Sequence, residues 1–275
     1  MKQETVEIQK ELFDQKKSAL KKYQELIIGQ KGLWKLMKYE FIMTFFSSIP
    51  GALGLVLRMK LYPKLLGKVG RNVTFGQNVV LRHPHKIEIG DNVVIDDNVV
   101  LDAKGQDNQG IKINSGSFIG RNTIFNCKNG DIILGDNANF GPNCQIFSAN
   151  KVEFGKNALI ASYSYFVGGT HNFDSTDKSP LEQGRHAVGI TISDNIWVGA
   201  GVCVQDGVTI GRDCIIGTSA VVNSNIPDYS IAVGIPARVI KNRRDKSGDR
   251  RKSRNKNQNP KSRVANPKSK ITNSK

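Results

Sequence analysis

From Val69 onward an apolar residue recurs at every sixth position. Val69, Phe75 and Leu81 open the series; Ile89, Ile95 and Leu101 follow, then Ile113, Ile119 and Phe125. Leu134, Phe140 and Ile146 come next, then Phe154, Ile160 and Phe166. After a gap the series runs unbroken through Ile192, Val198, Val204, Ile210, Ile216 and Val222. A period of six matches neither the helical repeat of about 3.6 residues nor the two-residue alternation of a long strand. It fits short strands joined by turns and stacked as a solenoid. Gly often follows the apolar residue, as at Gly70, Gly76, Gly135, Gly199 and Gly217, and a small or β-branched residue stands four places on, as at Val73, Ser117, Cys144 and Ala220. The pattern predicts that the apolar residue fills the axis, that Gly or Asn turns the chain through a positive φ, and that the small residue makes room at the corner. Three such units close a triangular coil of about 18 residues, and coils stack about 4.8 Å apart.

Two flanking regions lack this period. Residues 3–28 contain no Gly or Pro before the final turn and carry charges on most faces, which predicts a helix. Residues 41–57 are uncharged but hold Ser47, Ser48, Pro50, Gly51 and Gly54. A membrane span needs about 20 apolar residues, and Pro50 is expected to break the stretch into two helices. Lys31, Lys35, Lys38, Arg58, Lys60, Lys64 and Lys68 flank it. Three outcomes are open for 31–68: a helical pair in peripheral contact with a membrane interface, a lid packed on the solenoid, or a short true membrane span.

The net charge of +16 belongs to the ends. Residues 1–70 carry 13 Lys/Arg against 6 Asp/Glu, residues 71–240 carry 13 against 16, and residues 241–275 carry 14 against 2. The basic pI therefore says nothing about the central domain. The tail has too little apolar surface to fold and is expected to be disordered. It has no aromatic residue to stack on bases, so no specific nucleic acid is expected as a partner. The four cysteines, Cys127, Cys144, Cys203 and Cys214, form no CxxC pair, and no metal site is expected. They read as reduced residues of a cytoplasmic protein, with membrane association left open. The domain boundaries expected from composition are 1–68 helical, 69–240 solenoid and 241–275 tail.

The gap in the period spans about 168–189 and holds two of the four histidines. Insertions in a solenoid gather on one face, often the binding face. His171 ends the segment "GGTH" directly after the rigid wall at Phe166. An imidazole titrating near neutral pH can take the proton from an attacking hydroxyl. His186, in the return limb, reads as structural or substrate-facing, and His83 and His85 as surface residues. Asp174, Glu153 one coil below, or a backbone carbonyl are open candidates for orienting His171.

The six-residue repeat across 69–240 resembles the hexapeptide-repeat, left-handed parallel β-helix acyltransferases. The segment "DNIWVGAGVCVQDGVTIGRDCIIGTSAVVNSNIPDYSIAVGIPARVIK" (194–241) is similar to the terminal signature of their sugar O-acetyltransferase branch, which includes maltose and galactoside acetyltransferases and polysaccharide-modifying relatives. The resemblance implies an all-β left-handed solenoid with a helical N-terminal segment, assembled as a homotrimer with acetyl-CoA in the groove between neighbours. It implies a sugar or glycan acceptor, in bacterial surface polysaccharide or a lipid-linked precursor, and His171 as the general base. Trp197 would wall the groove or acceptor pocket, Gly199 and Ala200 would line the thioester end, and Gly217 and Thr218 the matching turn one coil on. The Ala200 amide would hold the oxyanion. Some relatives have a serine there, so no side-chain contribution is expected. Arg238 and Lys241 would meet the nucleotide phosphates. Asn143 and Asn126, on turns, would face the sugar. Transfer to the amine of an amino sugar and a non-catalytic scaffold are the competing readings.

Overall fold

The computed structural model describes residues 17–245. The helix expected over 3–28 is thus seen only in part, and the expected disordered tail lies almost wholly outside the described residues. Parallel strands form three sheets, called here faces A, B and C, visited in that order in every coil. Val69, Ile89, Ile113, Leu134, Phe154, Ile192 and Ile210 pair in register along face A. Phe75 to Ile216 do so on face B, and Leu81 to Val222 on face C. Of the 21 periodic residues only Val69 is not fully buried. The solenoid and its register are those the six-residue period predicts.

The coil length is not. Successive coils measure 20, 24, 21, 20, 38 and 18 residues along face A, so the 18-residue coil holds only after the gap. The steps from A to B and from B to C stay at six. All the additional residues fall at the corner from face C back to face A, where the chain can bulge outward without disturbing the stack. The turn chemistry also differs from the expectation. Gly135, which follows Leu134, does not have a positive φ. A Cβ there would lie 2.5 Å from the Gly155 carbonyl of the next coil, so this glycine serves close approach between coils. The left-handed position comes two residues later and is usually Asn, as at Asn72, Asn122, Asn137, Asn143, Asn157 and Asn195. Asn tolerates that backbone, and its amide bonds its counterpart in the adjacent coil. Asn137 donates to Asn157 at 3.2 Å and Asn157 to Asn195 at 2.9 Å.

An aromatic column fills the core beneath the long insertion. The Phe125, Phe140, Phe154 and Phe166 rings meet edge to face, with centroids 5.3, 5.1 and 4.9 Å apart along the series. Such pairs add about 0.5–1.5 kcal/mol each beyond their burial. Cys127, Cys144 and Cys214 are buried in the same core, Cys203 is half-buried, and all four are free thiols.

The N-terminal region closes the first coil. α1 (Ala19–Tyr23) leads through a wider turn (Gln24–Ile28) to α2 (Leu33–Phe46) and α3 (Gly51–Leu61). The break falls at Pro50, as the sequence predicts. Tyr62, fully buried, stacks on Phe75 at 5.3 Å, and Tyr39 Oη donates to the Leu81 carbonyl at 2.7 Å. Arg58 is buried and donates to the Phe75 carbonyl at 3.0 Å and the Ile49 carbonyl at 2.7 Å, pinning the α2–α3 turn to face B. No helix among the described residues is long and apolar enough to cross a membrane.

Contrary to the sequence reading, His83 is buried rather than on the surface, and His85 is half-buried. His83 is buried under the turn at 24–28, and its Nε2–H donates to the Glu25 carbonyl at 2.9 Å. Burial holds its imidazole down to about 4, and burial lowers His85 as well.

Candidate functional site

The insertion leaves face C at Gly168 and returns to face A at Ile190. Its limbs pair antiparallel, Thr170 with His186 and His171 with Arg185. Its base is tied down on both sides. Asn150 Nδ2 donates to the Ala187 and Val188 carbonyls, and the Asp206 carboxylate accepts from the Val188 and Gly189 amides. Gln183 holds the tip through Ser175 and Lys178, and His186 Nδ1 bonds Asn172 Oδ1 at 2.7 Å. The return-limb histidine is therefore engaged inside the loop. The His171 side chain is exposed, and among the described residues no hydrogen bond or ion pair restrains its ring. Neither Asp174 nor Glu153 forms a hydrogen bond or ion pair with it; Glu153 stands under Thr191 and pairs with Lys151 at 2.5 Å.

His171 lines a cavity of about 210 Å³ with Phe147, Tyr165, Val167, Thr170 and Arg185. Phe147, Tyr165 and Val167 are outward residues of face C, which makes one wall apolar. Arg185 comes from the return limb, and its Nε is buried without a partner. The sequence reading passed over these residues. The one available signal was the palindromic layout of the insertion, with glycines near both ends, which favours a hairpin.

The other expected site residues gather elsewhere. Ala200 and Thr218 occupy the corner from face B to face C on successive coils, after Gly199 and Gly217. A Cβ on Gly199 would lie 2.6 Å from the Thr218 amide nitrogen, so this corner is tightly stacked. The matching amides at the A to B corner are capped by carboxylates, Lys156 by Asp194 and Arg212 by Asp228. The Ala200 amide has no such cap and no other hydrogen bond among the described residues. Trp197, about half exposed, heads a row across face B with Ile215, Ile231 and Lys241. Arg238 lies at the other end of that last strand, opposite Val233. Asn143 sits at the B to C corner two coils before Ala200 and accepts from Asn122 at 3.2 Å. Asn126 is not on a turn. It lies within a strand of face C, between Asp102 and Phe147.

His171 and Ala200 thus stand at opposite ends of face C. A four-residue strand, Tyr165–Gly168, separates their corners, a span of about 13 Å. One chain does not bring the imidazole to the uncapped amide. No group of His, Cys, Asp and Glu side chains suited to a metal ion occurs among the described residues.

Known proteins share this architecture. Residues 68–103 match the family model described as the hexapeptide repeat of succinyl-transferase. A probable acetyltransferase of Mycobacterium tuberculosis is 37% identical over 125 residues, 46% of this chain and 42% of that protein. The galactoside O-acetyltransferase of Escherichia coli is 46% identical over 59 residues, 21% of this chain and 29% of its own. The crystal structure of the polySia specific acetyltransferase NeuO superposes with a TM-score of 0.50 at 25% identity, covering 64% of this chain and 77% of that one. The chain spans less than half the length of these two curated relatives. Repeat, register and relatives agree: residues 68–103 carry a hexapeptide repeat, and the chain is similar to acetyltransferases in sequence and fold.

Proposed function

We propose that the protein transfers an acetyl group from acetyl-CoA to a sugar hydroxyl, with His171 as general base. The observation that carries this reading is the unrestrained imidazole at the rim of a half-apolar cavity, on the longest insertion in the solenoid. The names of the relatives support it: an acetyltransferase, a galactoside O-acetyltransferase and a polysialic acid-specific acetyltransferase. The imidazole takes the hydroxyl proton as the oxygen attacks the thioester carbonyl. The tetrahedral oxyanion is held by the uncapped Ala200 amide, and the thiolate leaves with the proton that His171 carries. Because the two groups stand at opposite ends of face C, the site forms between copies, which a closed trimer supplies. The donor lies along Trp197, Gly199, Ala200, Gly217 and Thr218, with Arg238 and Lys241 toward its phosphates. Asn143, on the Ala200 corner, then faces the acceptor.

The test is thioester cleavage against a panel of oligosaccharides, nucleotide sugars and lipid-linked glycans. Acceptor-dependent CoA release that falls about 10²–10⁴-fold in His171→Ala, with an unchanged melting curve, is expected. Equal release by the variant contradicts the assignment. A product acetylated on an amine assigns the reaction to an amino sugar.

The reading extends to a membrane-proximal acceptor. Leu33, Trp34, Met37, Phe41 and Phe45 of α2 and Leu53 of α3 are each more than half exposed, although the opposite side of α2 packs on the core through Leu36, Tyr39 and Ile42. The helices are therefore a lid with a second apolar face, and exposed Lys31, Lys35 and Lys60 rim it. An apolar face rimmed by cations suits an anionic lipid interface. Co-sedimentation with phosphatidylserine vesicles, lost in Trp34→Ser/Phe41→Ser and absent with phosphatidylcholine, is the expected result. No sedimentation with either vesicle contradicts it.

A further inference from the structure

We propose that the acceptor is an anionic sugar, and that a strip of cations on the outside of face C, running from the His171 cavity toward the earlier coils, binds its charge. This rests on reading the cavity as the acceptor side of a transferase. The outward positions Arg82, Asp102, Asn126, Phe147 and Val167 pair in register from coil to coil, ending at the cavity wall. Lys104 and Lys128 stand at the corner beside this row, and Arg185 leans in from the hairpin. Lys128 Nζ lies 6.0 Å above the Phe147 ring, so its charge borders the cavity directly.

The strip is short of negative charge. Asp102, buried, lies 3.4 Å from Arg82 and 3.8 Å from Lys104. It is the one carboxylate of that row, among four cations. Burial holds Lys128 below the usual lysine range, and Lys104, Arg185 and Arg82 push in the same direction while Asp102 opposes. Cations held together in a partly desolvated place repel one another, and an anion from outside relieves that repulsion. Two polar atoms there also lack partners: Arg185 Nε, a donor, and Asn126 Oδ1, an acceptor. An anionic group accepts from the first, and a neighbouring hydroxyl donates to the second. A carboxylate or phosphate with hydroxyls close by is the chemistry of an acidic sugar or a sugar phosphate.

Position separates this strip from the donor. The residues assigned to acetyl-CoA all lie on coils after the insertion, from Trp197 to Lys241. The cations from Arg82 to Lys128 lie on coils before it, and a ring of copies turned about the solenoid axis keeps those heights apart.

Lys128→Gln and Arg185→Gln test the assignment with three acceptors: an oligosaccharide bearing a carboxylate, one bearing a phosphate, and a neutral one. The expected result is a rise of at least about ten-fold in KM for a charged acceptor, since a charge-assisted contact is lost, while KM for acetyl-CoA stays put. The charged acceptor whose KM rises, carboxylate or phosphate, identifies the group bound. A rise in the acetyl-CoA KM alone, or neutral acceptors used as well as charged ones by wild type and variants, overturns the proposal. Calorimetry of the same oligosaccharides with the protein alone separates this failure from failure of the transferase reading. Salt-sensitive binding of a charged oligosaccharide, weakened in Lys128→Gln, is expected even if no acetyl transfer occurs, and absence of that binding overturns the proposal.

Discussion

Two corners of the same solenoid obey different rules. The B to C corner never varies in length: six residues separate the inward positions on either side in every coil, and glycines directly after the inward residue, such as Gly76, Gly120 and Gly199, lie against the next coil with no room for a Cβ. The C to A corner varies in each of the first five coils, by two residues at the least and by twenty in the His171 insertion. A corner that stacks tightly presents backbone and short turn side chains, as at Ala200 with its uncapped amide and at Asn143. A corner free to bulge can carry side chains, as it does with His171, Arg185, Lys104 and Lys128. Chemistry that needs both kinds of group must then join one corner of one copy to another corner of its neighbour.

The contrast can be broken or sharpened by substitution. Phe140→Ala, under the insertion, opens a cavity among three other rings and should destabilise by about 3–5 kcal/mol in urea unfolding. A loss under about 1 kcal/mol would show that the aromatic column does not support this part of the stack.

The buried His83 at the C to A corner makes stability depend on pH. Its imidazole is held down to about 4 in the folded state, against an unfolded value near 6.5, so the unfolded chain binds the extra proton between those values. Stability is then full above about pH 6.5 and falls as the pH drops toward 4, by up to about 3 kcal/mol, with His85 acting in the same direction. His83→Asn keeps the left-handed backbone and should flatten that slope in denaturant titrations at pH 7 and pH 5. An unchanged slope would locate the proton uptake elsewhere.

Gly76→Ala, at the B to C corner, puts a Cβ 2.5 Å from the Asp97 amide nitrogen of the next coil and should cost about 1–3 kcal/mol. Inserting one serine after exposed Gln106, at the variable corner, should change the melting temperature little. Equal losses from the two changes would remove the distinction between the corners. A modest effect is expected at the ladder: Asn157→Gly, which keeps the left-handed backbone and loses bonds to Asn137 and Asn195, should cost about 1 kcal/mol.

The sequence made the axis legible because an apolar residue in a core has one place to go, and its spacing records the strand and turn lengths. Phe140, Ile160 and Val204 could be placed before any coordinates. The unequal coil lengths were present as gaps between triads, yet an ideal 18-residue coil hid them, and Glu153 was set under His171 when it lies under Thr191. The glycines were assigned the backbone role that Asn performs, because composition does not tell close approach from a left-handed φ. His83 looked like surface because the turn that covers it is about 58 residues away in the chain. Arg185 and Asn126 gained meaning only from a hairpin register and a coil register, which no local pattern encodes.

The account's central claim is that His171 from one copy serves a thioester held at the Ala200 corner of another. Mixing two inactive variants tests it most directly: His171→Ala, which keeps the corner, and Ala200→Trp, which fills it from the part-exposed Ala200 side chain without touching the close-packed Gly199. Co-refolded in equal amounts, they should regain about one quarter of the wild-type transfer rate, the fraction of interfaces that pair an intact histidine with an intact corner in a closed ring. A mixture as inactive as either variant alone would place both groups in a single chain and contradict the claim.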